Sequence, residues 1–282
     1  MKYFLFLVFI VFFFTGKAQV GDEIRFVSHL IDKGHYSEAI FLIDNRLTGY
    51  NHSQQDSLLY YHGWANYALK NLEQSTQSLL RVSRKSPFFY KSHFFAGYNQ
   101  IYLGDYGKAQ QIFVQMDISE EPFLSLVNLE FAGIEMLKGN RALAGEKLDA
   151  INRTNPVLNE HITALKAISA KNGERRSKSP VLAGIMSGIV PGSGKIYAGK
   201  TGAGIASFVG NVGFGLITWE NYNKRGLTNP KTLIFGSLFA VNYISTIYGS
   251  VLSVKVSENE YNKNLQNQIL FQLHIPLRNF FN

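Results

Sequence analysis

Between residues 22 and 156, small and apolar positions recur in a rhythm that predicts pairs of helices folded back on one another. Each unit has a small residue, a turn seven positions later, a Tyr or Leu, a second small residue and an apolar residue. The clearest copy is Gly97, Gly104, Tyr106, Ala109 and Phe113. The copy before it reads Gly63, Lys70, Leu72, Ser75 and Leu79, and the copy after it Ala132, Gly139, Ala142, Ala144 and Leu148. The turns at Lys70, Gly104 and Gly139 stand 34 and 35 residues apart, and Pro87, Pro122 and Pro156 follow at 35 and 34. A fainter copy comes first, with Gly34, Tyr36, Ala39 and Ile43. It has Val27 at the small position and Asn51 where proline would fall, as suits a terminal capping unit. Small residues let two helices approach closely, and proline closes one unit before the next begins.

The second half follows a different pattern. Three stretches carry no charge: 179–194, 201–219 and 232–254, which are 16, 19 and 23 residues long. At about 1.5 Å per residue the last two reach across a hydrocarbon core of about 30 Å. The first is short and ends in Pro191-Gly192-Ser193-Gly194, which predicts a short or re-entrant helix over 180–190. Gly204, Ser207, Gly210 and Gly213 form a stripe for close helix contact. Asn211 and Asn242 fall near the centres of their spans. A hydrogen bond between them, worth about 0.6–2 kcal/mol, would lock a hairpin or a homo-oligomer. The tail, 257–282, mixes polar residues with Leu265, Ile269, Leu270, Phe271, Ile275, Phe280 and Phe281. It fits either an interfacial amphipathic helix or a ligand for the chain's own groove.

Charge and the amino terminus sharpen this division. The whole chain is at +8, and residues 151–282 hold 14 Lys and Arg against 5 Glu and no Asp. The basic residues border apolar runs, as membrane flanks do, so lipid rather than nucleic acid is the expected partner. Lys2 and the apolar run 3–14, followed by Gly16 and Ala18, predict a signal peptide over 1–18, with a retained anchor as the alternative. The absence of cysteine excludes a lipid-modified cysteine, zinc–cysteine sites and thiol catalysis. Topology is contested. Lys224, Arg225 and Lys231 put their loop on the cytoplasmic side, whereas Arg175, Arg176, Lys178, Lys195 and Lys200 pull the opposite way.

The repeat over 22–156 resembles a tetratricopeptide-repeat array, with its 34-residue period and terminal proline. The resemblance implies an all-α fold: an α-solenoid over 19–157, a helix and basic linker over 158–179, a membrane domain over 180–256 and the tail. In that family the first helix of each unit lines a concave face that binds a protein or peptide. The inward positions here would be Tyr60, Trp64, Tyr67, Phe94, Tyr98, Ile101 and Tyr102, with Lys91 at the rim. Pro191, Gly192, Gly194, Tyr197 and Gly199 resemble the Pro-Gly-x-Gly-x-x-Tyr-x-Gly loop of small bacterial helical-hairpin membrane proteins, and are similar to the signature of the TM2 family. This implies an interfacial turn and no chemistry.

One stretch, Gly194 to Thr201, matches the P-loop pattern G-x-x-x-x-G-K-[ST]. That motif needs a preceding strand and a downstream carboxylate for magnesium, and no aspartate follows Asp149. The seven histidines show no ligand spacing, and there is no G-x-S-x-G elbow. No catalytic, metal or cofactor site is expected. The expected function is a membrane-anchored adaptor at the outer face of a bacterial inner membrane, serving envelope biogenesis or membrane-protein assembly. The alternative is a subunit of a small transporter or channel with a regulatory repeat domain.

Overall fold

The computed structural model describes residues 20–46, 50–152 and 156–281, and the expected signal peptide lies outside them. The described residues form thirteen helices and no strand. They divide into two compact units, one of residues up to 162 together with 273 onward, the other of residues 163–272.

The first unit contains α1 (Val20–Asp32), α2 (Tyr36–Arg46), α3 (His52–Ala68), α4 (Leu72–Leu80), α5 (Phe89–Leu103), α6 (Tyr106–Gln115), α7 (Phe123–Leu137), α8 (Arg141–Asp149) and the start of α9 (Pro156–Glu174). From α1 to α7 each helix packs on the one that follows. Four turns share one geometry. Gly34, Lys70, Gly104 and Gly139 have φ of 79°, 65°, 83° and 84°. Each donates its N–H back three residues, and the next residue donates back five, as Gly104 to Ile101 (3.0 Å) and Asp105 to Gln100 (2.9 Å). These bonds close the carbonyls left open at a helix end. Lys70 is the one member with a side chain in the left-handed region, which costs about 1–2 kcal/mol. Its amine lies 5.5 Å from the Tyr67 ring centre and recovers part of that cost. Lys70→Gly is therefore expected to stabilise the chain by ~0.5–1 kcal/mol, measured as a higher melting temperature.

The small residues sit where helices meet. A Cβ on Gly97 would strike the Phe113 ring, and one on Gly63 would lie 2.5 Å from Leu79 Cγ. Ser75 donates to the Gly63 carbonyl (2.8 Å), and Asn99 donates to Ser75 (2.9 Å), joining one helix pair to the next. Phe94, Phe95, Phe113, Leu79, Ile101 and Leu126 fill the core between them.

The second unit holds the rest of α9, then α10 (Pro180–Ile189), α11 (Ser193–Tyr197), α12 (Thr201–Arg225) and α13 (Pro230–Phe281) as far as Gln272. Helices α12 and α13 are long and apolar enough to cross a membrane. Within their most apolar windows only 11% and 17% of residues are buried, so Phe208, Leu216, Val241 and Ile244 point outward. One expectation is corrected here. The tail is not a separate element at 257, because α13 continues unbroken to Phe281. Residues 255–275 contain neither Gly nor Pro and are rich in helix formers such as Lys, Glu, Gln and Leu. Over 158–179 the chain is helical as far as Glu174, the end of α9, and extended over 175–179. The extended piece after it is clamped on α13: Arg175 donates two hydrogen bonds to Glu258 (2.7 and 2.9 Å) and lies 3.6 Å from the Tyr261 ring centre.

Candidate functional site

Within the first unit, residues 273–281 of α13 lie in a groove lined by side chains of α3, α5 and α7. Aromatic residues build the walls. Tyr60 stacks on Phe88 with ring centres 4.4 Å apart, and Trp64 meets Phe95 edge-on at 5.0 Å. On α5, Phe94 and Ile101 are wholly buried and Tyr98 nearly so, but only Phe94 and Tyr98 have ring contacts with the docked segment. Tyr102 is 49% exposed, and no ring contact or hydrogen bond is described for it. Sequence periodicity therefore assembles Tyr60, Trp64, Tyr67, Lys91, Phe94 and Tyr98 along one side. Ile101 belongs to the packed interior, and Tyr102 is half exposed, within electrostatic reach of Tyr67 and Tyr98.

The helix end makes contacts along the length of the groove. The Tyr67 hydroxyl and His274 Nε2 share a hydrogen bond, and the Tyr98 ring stacks on the imidazole at 5.1 Å and 23°. Phe281 packs against Phe94 at 5.6 Å, and Phe280 against Phe123 at 5.4 Å. Lys91 donates to the Phe281 carbonyl (3.1 Å), with its amine 5.4 Å from Tyr60 and 5.3 Å from Trp64. Burial holds that amine below the usual lysine range. It also raises the Tyr67 and Tyr98 phenols, so both keep their protons. Leu273 and Leu277 are fully buried. A Cβ on Gly133 would collide with the Leu273 side chain, so only glycine lets that leucine seat.

Sequence reasoning missed His274, Phe123, Gly133 and Glu130. The signal for Glu130 was its position. It is the charged residue on the apolar face that runs Phe123, Leu126, Glu130, Gly133 along α7. Its side chain is 0% exposed, and neither carboxyl oxygen has a partner. Burial raises its pKa well above the carboxylate range.

These groups give the docked segment a pH dependence. Burial, with Arg278 and Lys70 nearby, pushes His274 down to about 4, against about 6.5 in an unfolded chain. Between those values the released segment binds a proton that the docked one does not. The contribution of His274 to docking is thus complete above about pH 6.5 and is lost as pH falls toward 4. Glu130 acts in the opposite sense, since keeping it protonated costs more as pH rises above the ordinary carboxylate value. Between pH 6.5 and 4, amide-exchange protection of 273–281 is expected to fall in the parent chain relative to His274→Phe, which carries the Glu130 effect alone.

In the second unit the residues of the expected interfacial turn come together at the α10–α11–α12 corner. Gly192 (φ 88°) begins α11, and Gly199 (φ 91°) follows it. Gly194 donates its N–H to Ser187 Oγ (2.9 Å), which lies 2.7 Å from Ser250 Oγ. Tyr197 accepts from the Ser179 N–H (3.0 Å), and Pro191 precedes the turn half-buried. The P-loop-like stretch is this corner, with no strand before it among the described residues. Lys195 donates instead to Ser207 (2.7 Å). The expected bond between Asn211 and Asn242 does not form. Asn211 donates to Thr246 Oγ1 (2.9 Å) and the Ser207 carbonyl (2.8 Å), while Asn242 Nδ2 has no partner. The physical reason is register: Thr246, one turn beyond Asn242, is the residue that comes opposite Asn211. Glu121 accepts from Ser125 Oγ (2.8 Å) at the start of α7, and Glu258 holds Arg175, so both carboxylates are engaged in the fold.

No protein-family model, curated protein or solved structure matches the chain.

Proposed function

We propose that the chain is a membrane-anchored adaptor, in which a tetratricopeptide-like array takes a helical segment of a protein partner into the groove of α3, α5 and α7. The observation that carries this reading is the groove's present occupant. A helix end, residues 273–281, is held there by stacked rings, a phenol–imidazole bond and a lysine on its last carbonyl. An amphipathic helix laid in an aromatic groove is a recurring mode of peptide recognition. Four turns of one geometry, spaced at the repeat period, support the array. The outward apolar faces of α12 and α13 support lipid as the anchor. Placement at the outer face of a bacterial inner membrane rests on reading 1–18 as an export signal. A role in envelope biogenesis or membrane-protein assembly is analogy to the fold.

A photo-crosslinking residue at Trp64, in membranes, tests the groove. A crosslink to a second polypeptide is expected, and it should strengthen when Phe280→Ala and Phe281→Ala loosen the chain's own segment. A product confined to residues 273–281 in both proteins would overturn the reading. Alkaline carbonate should leave the chain in the membrane pellet, and its release would remove the anchor.

A transporter or channel subunit is the second reading, favoured by the polar seam inside the second unit. There Ser187 meets Ser250, Asn211 meets Thr246, and the Lys195 amine reaches Ser207. A cation within such helices is a functional candidate by its cost. Ion or solute flux across proteoliposomes, lost with Lys195→Gln, would favour this reading over the adaptor.

A further inference from the structure

Glu130 is buried on the side of α7 that carries Phe123 and Gly133, two residues that meet the docked segment, and nothing bonds to its carboxyl. On α7 it is seven residues from Phe123, whose ring packs on Phe280 and Phe281, and three from Gly133, which faces Leu273. Those intervals keep all three on one side of the helix. The carboxyl is thus on the side of α7 that meets the docked segment, within electrostatic reach of the Tyr67 and Tyr98 hydroxyls. The side chain is completely buried, and both of its oxygens lack a hydrogen-bond partner. The segment's buried residues here, Leu273, Pro276 and Leu277, carry no side-chain donor.

A buried polar group without a partner is costly, whereas one given a charged donor gains a strong, directional bond. Neighbouring core positions on the same helix are Leu126, Leu129 and Ile134, so the site accepts an apolar residue sterically. A carboxyl there penalises the self-filled state and rewards an occupant that brings a cation. We propose that Glu130 sets the groove's specificity, selecting a partner helix that carries lysine or arginine at the place Leu277 now holds. The inference rests on the groove being a peptide site. It adds to that reading the identity of the anchor residue and the chemistry of the ligand.

The test uses the full chain in detergent micelles, with Phe280→Ala and Phe281→Ala to loosen self-docking. Two labelled synthetic peptides are compared by fluorescence anisotropy: the natural sequence of residues 268–281, and the same peptide with Leu277→Lys. The lysine peptide is expected to bind on the order of tenfold more tightly, as a charge-assisted bond to a buried partner provides. Glu130→Leu should abolish that advantage, and the near-isosteric Glu130→Gln should reduce it. If the lysine peptide binds no better than the natural one, the specificity assignment is wrong while the groove remains a peptide site. If neither peptide binds, the groove reading itself goes. The comparison on the chain that retains Glu130 decides the matter even if the Glu130 variants fail to fold.

Discussion

Gly194→Ala is expected to disrupt the corner of α10, α11 and α12, at a cost of ~3 kcal/mol or more. An added Cβ would fall 2.0 Å from the Ala183 carbonyl oxygen and 2.8 Å from Ser187 Oγ. The first of these atoms belongs to a helix backbone and has no rotamer to adopt. The clash also disturbs the bond from Gly194 to Ser187, and through it the contact with Ser250. Gly202, on the first turn of α12, provides the control, because nothing lies within 4 Å of its would-be Cβ. Gly202→Ala should be neutral or stabilising by up to ~1 kcal/mol, the ordinary helix preference for alanine. Thermal melts in detergent, with amide exchange across α10 and α11, distinguish the two. Equal melting temperatures for the two variants would mean that the corner is not packed as described.

Leu273→Ala should release the helix end from the groove, costing ~2–5 kcal/mol as for other fully buried leucines. The expected readout is selective. Exchange protection over 273–281 is lost while α3 to α8 keep theirs, because the walls pack mainly on their neighbours in sequence. Gly133→Ala should weaken the same docking from the other side, by driving a methyl into Leu273. The two changes touch, so they are not additive. Gly133→Ala combined with Leu273→Ala should cost less than the sum, since the methyl then enters the space the leucine vacates. Strict additivity would mean that residues 133 and 273 do not meet.

Local features of the fold were legible in the sequence, and distant ones were not. A residue with positive φ must be Gly or pay for its side chain, so Gly34, Gly104 and Gly139 mark the turns directly, and Lys70 was found by the period they set. Gly63 and Gly97 announce close helix approach because no other residue fits against Leu79 and Phe113. The continuity of α13 was obscured by hydropathy. The polar stretch after residue 254 changes the solvent a helix prefers without ending the helix. Asn211 was correctly placed on the contact face, but its partner depended on helix rotation, which equal depth in two spans does not determine. The groove was legible as a row of rings on α3 and α5, and the tail as one of two readings of its contents, whereas the pairs of residues that meet were not. His274 lies 207 residues from Tyr67, and no periodicity links positions so far apart. Glu130 looked like an ordinary acidic residue until α7 was placed between two aromatic helices.

That separation along the chain also has a consequence for synthesis. The walls of the groove are complete once Leu137 has been made, and the segment that fills it follows roughly 140 residues later. At ~5–20 residues per second, translation leaves an interval on the order of ten seconds in which the rings of α3, α5 and α7 are bare. A partner present where the array emerges meets an open cleft, whereas one arriving afterwards has to evict its occupant. The order in which the parts emerge therefore favours early encounters over late ones, with no change in affinity.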